Sequence, residues 1–114
     1  MPDITPQTII AAVSYHLLCQ NERSTGVHGY CRYLSDTGNK CAVGVLIPPE
    51  LYCEEMEGWG ISHEPMASVL ETAGLAEHQL LLKQLQRIHD GGYPAIWPRQ
   101  LHELAIEYEC DFII

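Results

Sequence analysis

The apolar positions of this 114-residue chain fall into two rhythms, one of helices and one that changes character in the middle. Ile9, Ile10, Val13, Leu17 and Leu18 recur three and four residues apart behind Thr5-Pro6. Threonine there is a helix-capping type, and proline suits the first helical position, so the pattern predicts a helix over 6–20. The polar run 21–29, NERSTGVHG, reads as a loop. Residues 30–34, Tyr-Cys-Arg-Tyr-Leu, have the composition of a short strand, and Ser35-Asp36-Thr37-Gly38-Asn39 supplies turn formers. After the turn, CAVGVLI admits two readings. Val43, Val45 and Ile47 share one face of a strand, whereas Asn39 could instead cap a short helix with Cys41 in its first turn and Pro48-Pro49 as its stop. Gly44 and the valines form helices poorly, so the hairpin is the expectation.

Helical spacing returns further on. Residues 50–60, ELYCEEMEGWG, read as an acidic irregular segment. Ser62 is placed to cap a helix holding Met66, Val69, Leu70 and Ala73 and closed by Gly74. A leucine-rich helix over 76–89 follows, broken at Gly91-Gly92, and Trp97-Pro98 opens a last helix with Leu101, Leu104, Ala105 and Tyr108 on one face. The expectation is a single α+β domain spanning 1–114, a short two-stranded hairpin packed on about four helices. A two-stranded ribbon is marginal alone and needs that cover.

Charge narrows the classes. Fifteen Asp and Glu against six Lys and Arg give a net charge of -9, which disfavours contact with a nucleic-acid backbone and favours a basic protein surface as partner. No run approaches a membrane span, and the start MPDITPQT lacks the basic character of a signal peptide. The expected compartment is the cytoplasm. Five cysteines, an odd number without a C-x-x-C pair, fit reduced thiols better than a disulfide framework.

Lys40-Cys41-Ala42-Val43-Gly44, then Leu46-Ile47-Pro48, Leu51-Tyr52 and Glu55-Met56-Glu57-Gly58, resemble a pattern that recurs in uncharacterised small proteins of bacteria and their phages. In that family a helix precedes a G-x-C-x-Y-like strand, the CAVG-x-LIP stretch follows, and a leucine-rich helix ending near His-Asp leads to a Trp-initiated last helix. The corresponding parts here are Leu80 to Asp90 and Trp97 to Tyr108. The resemblance implies a context and no activity: phage accessory proteins are often small, acidic and built to bind a host protein, some as inhibitors or counter-defence factors.

Four constellations carry candidate chemistry. A thiol nucleophile needs a lowered pKa and an oriented base, which Cys41 would have at a helix start with His89 or His63 as base and Asp90 as the orienting carboxylate. Cys31, Cys41, Cys53 and His63 are the right types for zinc, but their spacing lacks the close pairs of structural zinc sites, so no metal and no cofactor is expected. A pocket lined by Tyr30, Trp97 and His89 would point instead to a protein that sequesters a small molecule. Glu54, Glu55 and Glu57 around Tyr52 and Trp59 have the composition of an interface, aromatic anchors inside an acidic rim. Of the two tryptophans, at least one is expected in the core. With no GxSxG, HExxH or Walker motif, binding to a protein partner ranks ahead of a Cys41-dependent hydrolase or transferase. Self-association into a homo-oligomer is compatible with the pattern.

Overall fold

A computed structural model describes residues 4–26, 30–91 and 93–110. Helix α1, Pro6–Gln20, begins at Thr5, whose hydroxyl accepts from the Thr8 N–H at 3.2 Å while the Thr8 hydroxyl accepts from the Thr5 N–H at 2.9 Å. That reciprocal pair satisfies two of the donors a helix start leaves open. Ile9, Ile10, Val13 and Leu17 form its buried stripe.

The expected hairpin is not formed, and among the described residues the fold is all-α. Residues 42–46 close into a short helix, α2 (Ala42–Leu46), capped by the Cys41 thiol: Sγ accepts from the Gly44 N–H at 3.3 Å. Asn39 is not the cap; its amide donates to Glu22. The next open donor, the Val43 N–H, is taken by the Gln86 side chain at 3.1 Å. Packing explains why poor helix formers are tolerated. A β-carbon on Gly44 would stand 2.0 Å from the Tyr33 carbonyl oxygen, so the helix can approach the 30–34 segment only with glycine there.

That segment pairs backwards instead of forwards. The Arg32 N–H donates to the Ser24 carbonyl at 2.9 Å and the Gly26 N–H to the Tyr30 carbonyl at 2.8 Å, around a single bridge between Thr25 and Cys31. The turn at 35–39 exists, with Ser35 N–H bonded to Asn39 at 2.9 Å, but it joins only one further bridge, Leu34 to Lys40. The α+β expectation fails because the apolar run after the turn gains more by burying Cys41, Ala42 and Val43 against helices than by pairing as a ribbon.

Two 3₁₀ turns, Pro49–Leu51 and Glu54–Met56, carry the chain through the acidic segment. Helix α3, Met66–Thr72, follows; Pro65 occupies its N-cap, and Ser62 does not serve. Gly74 closes it at φ 79°, a conformation suited to glycine. A 3₁₀ turn at Ala76–His78 leads into α4, Gln79–Gly91, and another at Pro94–Ile96 into α5, Trp97–Glu107. Helix α1 packs on α2 and α5, and α4 on α2 and α5. The core they share includes Val13, Leu17, Val43, Met56, Met66, Leu70, Leu82, Leu85, Trp97 and Leu101. No helix of the described residues is long and apolar enough to cross a membrane.

Candidate functional site

Between the 30–33 segment, the 58–63 loop and one face of α4 lies an open groove of about 810 Å³. Its floor holds Tyr33, Cys41 and Ile61, all buried. Its mouth carries Tyr30, 78% exposed, and Trp59, 53% exposed. Along its α4 side stand Lys83, Gln86, Arg87 and Asp90, and Cys31, Arg32 and His63 complete the wall.

At one end of the groove Cys31, Asp90 and His89 converge, their ligand atoms within 4.8 Å of one another. The hydrogen bonds dictate the proton positions. His89 Nε2 accepts from the Ser24 N–H at 2.9 Å, so Nε2 carries no proton; Nδ1 does, and donates to Asp90 Oδ1 at 2.7 Å. The ring is completely buried and stacks on Trp97, centroids 5.6 Å apart. Trp97 in turn donates its indole N–H to the Ile88 carbonyl at 3.1 Å. The Asp90 carboxyl is pushed up by burial, yet hydrogen bonds from His89, Cys31 and Gln86 outweigh this and hold it below the usual range. Burial, followed by donation to Asp90, pushes the Cys31 thiol up to about 11.

This arrangement leaves His89 unable to act as a general base. A general base needs a lone pair facing the nucleophile, and both nitrogens of His89 are committed to Ser24 and Asp90. The same tautomer argues against a metal at these three residues. Metal on Nδ1 would require the proton to move to Nε2, where it would meet the Ser24 N–H donor.

Cys41, the expected nucleophile, does sit at a helix start, but at zero exposure, and burial pushes its thiol up to about 12 despite the Gly44 N–H bond. His63 stands at the groove mouth beside Trp59, ring centroids 6.1 Å apart. Among the described residues Cys31, Cys41, Cys53 and His63 do not form a ligand cluster. Cys53 is the N-cap of the 3₁₀ turn Glu54–Met56, where its N–H donates to Met56 Sδ at 3.2 Å. The expected pocket of Tyr30, Trp97 and His89 is split: the latter two are packed core, and Tyr30 projects at the groove mouth.

The acidic segment divides as well. Glu57 is turned inward, its carboxylate accepting from the Tyr33 N–H at 2.9 Å, the Leu34 N–H at 3.2 Å and the Tyr52 hydroxyl at 2.8 Å. Glu54 takes both of its oxygens to Arg32, at 2.9 and 3.0 Å, and remains exposed, as does Glu55. The Tyr33 hydroxyl donates to the Trp59 carbonyl. The loop bearing Trp59 is thus anchored from beneath while its indole faces outward.

The residues that sequence reasoning passed over are Lys83 and Arg87. Their spacing was the available signal, since residues four apart share one side of a helix. Comparison with protein-family models, with curated proteins and with solved structures finds no match to this chain.

Proposed function

We propose that the protein works by binding a partner protein with a basic surface, through the face made by Trp59, Glu54 and Glu55, and not by catalysis. The observation that carries this reading is the half-exposed Trp59 on a loop held from below by Tyr33 and Glu57. An exposed tryptophan is a costly thing to leave in water, and a pre-anchored one loses little freedom when a partner covers it. Glu54 and Glu55, exposed five and four residues before it in the chain, would supply an acidic rim that steers a cationic surface towards it. Tyr52 and Glu57 support this face from within; neither offers its polar group to a partner. The committed nitrogens of His89, the raised Cys31 thiol and the buried thiol of Cys41 favour binding over thiol chemistry.

The test is affinity capture with the native chain, with Trp59→Ala, with the double variant Glu54→Lys/Glu55→Lys, and with Glu71→Lys/Glu77→Lys. The last pair is also exposed and changes the net charge equally, so it controls for bulk electrostatics. A partner retained by native chain and control and lost from the first two variants supports the reading. Equal capture by all four overturns this face.

A further inference from the structure

The groove inverts the charge of the molecule that contains it. Three of the six Lys and Arg of a chain with net charge -9 line this one depression, Arg32, Lys83 and Arg87. Arg32 is neutralised by Glu54. The side chains of Lys83 and Arg87 have no ion pair or hydrogen bond to any described residue, although fifteen acids were there to supply one. They stand four apart on α4, a spacing at which like charges repel and destabilise the helix. Asp90, the one carboxylate on the groove wall, has its charge met by the donors His89, Cys31 and Gln86. The same groove is lined by the exposed flat rings of Tyr30 and Trp59.

We propose that the groove is a binding site for a free mononucleotide, its phosphate held by Lys83 and Arg87 and its base laid against Trp59 and Tyr30. The guanidinium fork and the ammonium are suited to phosphate oxygens, and an aromatic face accepts any base by stacking. At about 810 Å³ the groove falls in the size range of small-molecule sites. The acidic remainder of the surface opposes a polynucleotide track, which needs cations along its whole length, but leaves a ligand with a single phosphate unaffected beyond the groove. This site goes beyond the partner face proposed above and shares only Trp59 with it. Lys83→Glu therefore tests the groove alone, and Glu54→Lys/Glu55→Lys the partner face alone.

The experiment is a titration of the isotope-labelled chain with each of the four common nucleoside 5′-monophosphates, followed by the two indole N–H resonances. The expected result is a saturable shift of Trp59 with little change at the buried Trp97. Affinity should fall at least about tenfold in Lys83→Glu and in Arg87→Glu, as for loss of a charged hydrogen bond, and stay unchanged in Arg99→Glu on α5. Adenosine and inorganic phosphate, titrated separately, should each bind more weakly than adenosine 5′-monophosphate. No Trp59 shift at millimolar concentrations of any of the four would overturn the site. So would affinity unchanged in both α4 variants, adenosine or phosphate alone binding as well as the nucleotide, or a single-stranded oligonucleotide binding far more tightly than its monomer.

Discussion

A methyl group on Gly44 would meet the Tyr33 carbonyl oxygen at 2.0 Å. Gly44→Ala should improve intrinsic helix propensity by about 1 kcal/mol, yet we expect a net loss of about 3 kcal/mol, because α2 must lift off the backbone beneath it. Chemical denaturation measures this directly, and a stabilised variant would disprove the contact. Glu57 makes a comparable point about charge. In sequence it is one of several similar acids, but three donors converge on it, so Glu57→Gln should cost about 1–3 kcal/mol while Glu55→Gln stays within about 0.5. The thiols follow the same logic of environment. At neutral pH, exposed Cys19 should alkylate first, Cys31 slowly because its thiol titrates at about 11, and Cys41 only on unfolding. Mass-mapped alkylation checks the order, and a fast Cys41 would restore the nucleophile.

At the scale of the element, α4 carries most of the chemistry. Its apolar side enters the core through Leu81, Leu82 and Leu85, and its groove side repeats cation, amide, cation and carboxylate at Lys83, Gln86, Arg87 and Asp90. Lys83→Glu would place a carboxylate four residues ahead of Arg87, the favourable order for a helical ion pair, and should stabilise the fold by about 0.3–0.5 kcal/mol. Thermal unfolding reads that gain. A stabilised variant that no longer binds nucleotide would show stability given up at the native lysine for the sake of the ligand. Helix boundaries were largely legible in the chain itself: α1 falls where Thr5-Pro6 and its apolar spacing put it, and the leucine-rich and Trp-led helices follow their patterns. Residues 41–47 were not legible, since a five-residue helix is too short to display a period and its cap is a cysteine, an uncommon capping type. Lys83 and Arg87 had a readable spacing, but nothing in one dimension shows that they share a groove with Trp59 and Tyr30.

For the molecule as a whole, acid stability hinges in part on Asp90, which ties the loop at Cys31 to α4 and meets the buried His89. Its folded pKa lies below the unfolded value, so its contribution is complete above the ordinary carboxylate range and is lost as pH falls through the depressed value. Asp90→Asn keeps an acceptor for His89 without the charge. Its unfolding midpoint should therefore lie below that of the native chain near neutrality, and the gap should close towards pH 3, as equilibrium melts across that range will show. A gap that stays constant would mean that Asp90 is not the group responsible.

The sequence by itself determined where the longer helices run, including the one that begins at Trp97, and the net charge of -9, because these depend on local periodicity and on sums over residues. Only the tertiary structure decided that residues 42–46 are a helix, that Glu57 is an internal tether, that Cys31 and not Cys41 meets the His89–Asp90 pair, and that two cations and two exposed rings line one groove. The reason is that each of these outcomes is a contact between segments from 20 to 65 residues apart, such as the Ser24 N–H on His89 or the Lys40 N–H on Gln20. Their energy exists only once the core has brought those segments together.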